Sequence, residues 1–187
     1  MARTEAKENT REAIESKLKT IGGDMLKLEY LENILKSNQT FDIKKFAHMH
    51  LAEIYERRLM LGEAAKNIDA AAEIAPTFNE RIVLYKKSIE INVKHGSYDA
   101  AENSLKKAVT NASTKEKDEL KKHFKDICLK RASELETIQR NNNAIKIYER
   151  LLTLSFVSDA EKQQINSKLA GLYRRVGKIV ESMRLGG

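Results

Sequence analysis

Small residues recur at fixed distances from large apolar ones, most clearly in the run Leu51-Ala52, Tyr55, Ala64, Ile68, Ala71 and Pro76. On two helices joined by a short turn, Ala52, Ala64 and Ala71 let the backbones approach closely, while Leu51, Tyr55 and Ile68 fill the space around that contact. Pro76 cannot continue a helix and marks the end of the second one. The spacing therefore specifies an antiparallel helix hairpin. It constrains packing and says nothing of chemistry.

The run is repeated along the chain. Downstream, Gly96, Tyr98, Ala101, Leu105 and Ala108 reproduce the turn and second helix, with Tyr85 and Ile89 in the helix before. In that helix Ser88 and Asn92 stand where Leu and Tyr would pack, so its packing needs another solution. A third copy reads Cys128, Ala132 and Leu135, then Ala144, Tyr148 and Leu151, with Gln139 in place of the turn glycine. A fourth begins at Leu169-Ala170, Leu172-Tyr173 and Gly177. Upstream, Ile14, Leu18, Gly22, Leu31 and Ile34 fall on matching positions, but Glu15 and Lys27 occupy the places of small residues.

This pattern resembles the tetratricopeptide repeat family, whose unit of about 34 residues carries the same order of large apolar, small, Tyr, Ala and Pro positions; the copies here carry about three, nine and four extra residues. The resemblance implies an all-α fold, a right-handed α-α superhelix or TPR-like solenoid of antiparallel helix hairpins in a single domain over 1–187. Its expected parts are a capping hairpin or degenerate repeat at 1–38, repeats at 39–76, 77–112 and 113–157, and a partial repeat with a C-terminal cap at 158–187. Terminal units of such arrays must hide an apolar edge, hence the caps. The lengthened helices, as in Leu51-Ala-Glu-Ile-Tyr-Glu56, are also similar to those of the soluble NSF attachment proteins, which implies an adaptor role as an alternative.

Helix starts agree with these divisions. Thr77 with Glu80, Ser113 with Glu116 and Ser158 with Glu161 have the spacing of capping boxes, and Asp24, Thr40, Ser97 and Asn141 to Asn143 are further N-cap candidates. Ten helices result, the last one short. The nine-residue excess lies near Thr110 to Lys122 and reads either as a longer loop or as extra turns on the seventh helix. One Pro, eight Gly and a third of residues charged suit helices, and no segment alternates with the period of a strand.

No apolar run reaches about 18 residues, and the first 19 residues lack the apolar core of a signal peptide, so a cytoplasmic protein without a membrane span is expected. The single cysteine, Cys128, excludes an internal disulfide and a thiolate zinc cluster. Net charge is +7, and the basic surplus is strong after Lys162, which suits an acidic partner.

Signs of catalysis are lacking in the sequence. His48 and His50 point to different faces of a helix, and His95 and His123 stand apart, so no metal site is expected. Neither a glycine-rich nucleotide loop nor a nucleophile elbow occurs, and no cofactor is expected. The protein is thus expected not to be an enzyme. The final Arg184-Leu185-Gly186-Gly187 is similar to the tail of ubiquitin-type modifiers, but nothing else in the chain fits that class.

In the repeat family the ligand groove is lined by the first helix of each hairpin. Carried over by position, the resemblance gives Phe46, Met49, His50, Glu53 and Arg57 from the first unit, and Lys86, Lys87, Glu90 and Lys94 from the second. It adds Leu129, Lys130 and Ser133 from the third, and Ser167, Lys168, Arg174 and Arg175 from the fourth. The branch of the family that grips a chaperone's terminal carboxylate uses Lys and Asn where Met49 and Glu53 stand here, so that ligand is not expected. The expectation is a scaffold that binds another protein, as a peptide or helix, with an acidic partner favoured by charge. Nucleic acid, RNA in particular, held by basic helix faces is the alternative. Phe46, Met49 and His50 are expected to floor the groove, unless the N-terminal hairpin folds over them.

Overall fold

The structure is a computed structural model that describes residues 9–110 and 112–185. Among these, ten helices and no strand are found. They divide into two compact units, one ending at Ser113 and one beginning at Thr114.

The first unit contains α1 (Arg11–Thr20), α2 (Asp24–Lys36), α3 (Phe41–Arg57), α4 (Leu61–Glu73), α5 (Phe78–His95) and α6 (Tyr98–Thr110). Side-chain caps start three of them: Thr10 accepts from the Ala13 amide, Thr40 from Ile43 and Thr77 from Glu80. Helix α2 differs from expectation, because Gly23 at φ 85° occupies its N-cap and Asp24 is already helical. A carboxylate in the first turn still suits the helix dipole. From α2 to α6 each helix packs on the next. The core at the N-terminal side joins Ile14 and Leu18 of α1, Leu28, Tyr30, Leu31 and Ile34 of α2, and Ile43, Ala47, Leu51 and Ile54 of α3.

The second unit contains α7 (Thr114–Thr137), α8 (Asn141–Leu152), α9 (Asp159–Arg175) and α10 (Ile179–Leu185). The nine-residue excess is helical: α7 runs for 24 residues, against 17 in α9. Ser158 and Glu161 form a complete capping box at α9. Helix α8 follows Arg140 without a side-chain cap, so the asparagine run supplies the first helical turn instead of the cap. Lys125 of α7 forms an ion pair with Glu161 of α9, and Tyr148 of α8 donates to Glu136 of α7 at 2.6 Å.

Four turns are built alike. Leu59, Gly96, Gln139 and Gly177 have φ of 59°, 90°, 57° and 79°, at successive intervals of 37, 43 and 38 residues. In each, the next amide reaches back five residues: Met60 to Tyr55, Ser97 to Asn92, Arg140 to Leu135 and Lys178 to Tyr173, at 2.8–2.9 Å. Each left-handed residue also donates three residues back, which completes a Schellman cap. Five residues beyond each turn lies a fully packed small residue: Ala64, Ala101, Ala144 and Ser182. The turn between α1 and α2 is different, since Ile21 is extended and the positive φ falls at Gly23.

Candidate functional site

An open cleft of about 490 Å³ lies among α1, α2 and α3 of the first unit. Its described lining is Glu15, Leu18 and Lys19 from α1, Lys27 from α2, and His50, Glu53, Ile54 and Arg57 from α3. Leu18 and Ile54 are buried and belong to the core, so the cleft has an apolar floor. The rim is charged. His50 Nδ1 stands 3.4 Å from Glu53, and Arg57 pairs with Asp24 at 2.8 Å, which ties the end of α3 to the start of α2.

The sequence explains the opening. Glu15 and Lys27 occupy positions where the other hairpins carry small residues, and their long side chains cannot fit a close helix contact. Both instead line the cleft. Helix α1 is held by Ile14 and Leu18 in the core and by Arg11, which pairs with Asp42 of α3 and holds that carboxyl below its usual range.

Of the residues expected to bind a partner, His50, Glu53 and Arg57 meet in this cleft. Phe46 is packed against the core, edge-on to His50 at 4.4 Å, and the Arg11 guanidinium lies 5.8 Å from its ring centre. The Arg11 side chain of α1 thus covers part of Phe46, while His50 lines the cleft. Met49 is half-buried and does not line the cleft. Lys86 and Lys87 are half-exposed on α5, Lys87 lying 3.7 Å from Glu56, and Lys94 is exposed further along α5. Lys130 is exposed on α7. On α9, Lys168 donates to the Tyr148 hydroxyl at 3.2 Å, Arg174 donates to Ser182 at 3.0 Å, and Arg175 is exposed. Lys19 and Lys27 were not expected at a site. For Lys27 the signal was the departure from the small-residue pattern that it shares with Glu15, whereas Lys19 departs from no pattern position.

The histidines are dispersed: His48 contacts Asn67 at 2.9 Å, and His95 contacts Ser97 at 2.8 Å. Among the described residues, no group of three or more His, Cys, Asp or Glu side chains is placed to hold a metal ion. Cys128 is buried in α7. No described helix is long and apolar enough to cross a membrane. Gly186 and Gly187 lie outside the described residues.

No family model matches the chain, and no curated protein matches it. Among solved structures, the crystal structure of BtubC (BKLC) from P. vanneervenii is similar at a TM-score of 0.38 and 15% identity, over 93% of this chain and 72% of that one. A likeness that slight carries neither fold nor function across.

Proposed function

We propose that the chain is a tetratricopeptide-like protein-interaction scaffold, its hairpins continuing a right-handed superhelix, and that the α1–α2–α3 cleft takes an acidic peptide from a partner protein. The recurrence of one turn geometry at Leu59, Gly96, Gln139 and Gly177 supports the repeat reading. The observation that carries the ligand is the cleft itself: an apolar floor of Leu18 and Ile54 under a rim where Lys19, Lys27 and Arg57 outnumber Glu15 and Glu53. Arg57 and Glu53 already have partners in Asp24 and His50, so Lys19 and Lys27 are the cations best placed to meet an incoming carboxylate. A polyphosphate would meet Glu15 and Glu53 and gain nothing from the apolar floor, which favours peptide over nucleic acid.

Fluorescence anisotropy with a labelled peptide of alternating Glu and Leu tests this. Saturable binding is expected, weakened about tenfold when Lys27→Glu places a third carboxylate on the rim. Absence of binding, or binding that Lys27→Glu leaves unchanged, overturns it. Tight capture of a labelled RNA with a steep log-log salt slope, abolished by Lys86→Glu with Lys87→Glu, would establish the nucleic-acid alternative.

A further inference from the structure

The helices that follow the four like turns are α4, α6, α8 and α10, so their positions correspond residue by residue. Helix α4 packs on both α3 and α5, and α8 on both α7 and α9, whereas α10 packs extensively on α9 alone. The effect is visible six residues after three of the four turns; the fourth such position is Glu102 of α6, which is polar and half-buried. Ala65 of α4 is 2% exposed and Ile145 of α8 is 3% exposed, but Met183 of α10 is 71% exposed. Ile179 and Val180 join it at 48% and 61%.

The inner side of α10 is nevertheless well seated. Ser182 is buried, donates to the Ala170 carbonyl at 2.9 Å and accepts from Arg174 Nε at 3.0 Å. A helix so anchored, with Ile179, Val180 and Met183 left on its outer side, presents an apolar face instead of a frayed end. The molecule itself indicates what covers such a face, because α5 covers α4 and α9 covers α8. Those covering helices bury apolar residues at three- and four-residue spacing, Tyr85 and Ile89 in α5 and Ile165, Leu169 and Leu172 in α9. From the end of α9 through α10 the charges are Arg174, Arg175, Lys178 and Arg184 against Glu181, with Lys178 resting 5.6 Å from the Tyr173 ring centre.

We propose that the outer face of α10 docks an amphipathic helix of a partner protein, with Leu or Ile at three- and four-residue spacing and acidic flanks that answer Arg175, Lys178 and Arg184. This surface belongs to the second unit and is independent of the α1–α2–α3 cleft. The partner helix would take the place that α5 and α9 take on the equivalent helices.

The test uses the full chain and a labelled peptide about five helical turns long, with Leu at three- and four-residue spacing and Glu and Ala elsewhere. A peptide of the same composition in scrambled order is the control. Binding of the patterned peptide alone is expected, with about tenfold weaker binding by the double variant Val180→Asp and Met183→Asp. Both residues are exposed, so the variant should keep its circular-dichroism spectrum and melting temperature, and these are measured alongside. Equal binding of the scrambled peptide, no binding, or unchanged affinity of the variant overturns the proposal. A concentration-dependent dimer in sedimentation that the same variant dissociates would assign the face to a second copy and overturn it likewise.

Discussion

Ser104 Oγ of α6 lies 3.1 Å from both carboxylate oxygens of Asp69 on α4. It also lies 3.2 Å from Ser88 Oγ of α5, which accepts from Asn92 Nδ2 at 3.2 Å. Ser88, Asn92 and Ser104 are buried, so three helices share one hydrogen-bonded polar seam. This is how the second hairpin packs without the Leu and Tyr that its pattern leads one to expect. Ser88→Leu, which restores that pattern, should therefore destabilise the protein by about 2 kcal/mol, through overpacking and loss of the acceptor for Asn92. A raised urea midpoint would contradict the seam.

Asp69 titrates against its surroundings. Burial pushes its carboxyl above the ordinary value of 3.8, and the hydroxyls of Ser88 and Ser104 and the charge of Lys107 offset only part of that. The folded state then holds the proton more tightly than the unfolded chain. Stability should fall as pH rises from about 3.8 through the folded pKa. In Asp69→Asn that component of the fall should vanish from urea midpoints measured across the range; an identical pH profile would contradict it.

The helix hairpins were legible because helix packing demands small residues at close contacts, and Ala52, Ala64, Ala101 and Ala144 mark them. Capping was legible where the cap is local, as at Thr40, Thr77 and Ser158, and misread at Asp24, where Gly23 takes the N-cap by backbone geometry alone. The polar seam was visible only as a departure, since its bonds join residues up to 35 positions apart. The cleft was half legible. His50, Glu53 and Arg57 follow from helix position, but Lys19 and Lys27 reach it through the placement of α1 and α2, which a repeat pattern does not encode when its small residues are missing.

The four like turns differ in cost. Gly96 sits at φ 90° with open space around it, so Gly96→Ala should lose about 1–2 kcal/mol from backbone strain alone. Gln139 already bears that strain at φ 57°, and Gln139→Gly should lose nothing. Equal losses at both sites in thermal unfolding would contradict the shared geometry.

Lys125 and the Ser158 hydroxyl and amide bind Glu161, holding its carboxyl down to about 2 from the usual 4.5. A carboxyl lowered in the folded state stabilises above its unfolded pKa, and that contribution is lost as pH falls from about 4.5 toward 2. Glu161→Gln should remove this acid sensitivity from the second unit, as read by unfolding at pH 5 and about pH 2.5. Equal acid sensitivity in both proteins would contradict the assignment.

The most direct test of the scaffold reading is a ¹⁵N-labelled titration of the full chain with the alternating Glu and Leu peptide, followed by backbone amide shifts. The account predicts that the perturbed amides centre on Leu18, Lys19, Lys27, Ile54 and Arg57, and that Lys27→Glu suppresses them. Perturbations that leave those five amides unmoved, at any peptide concentration that saturates the protein, would contradict it.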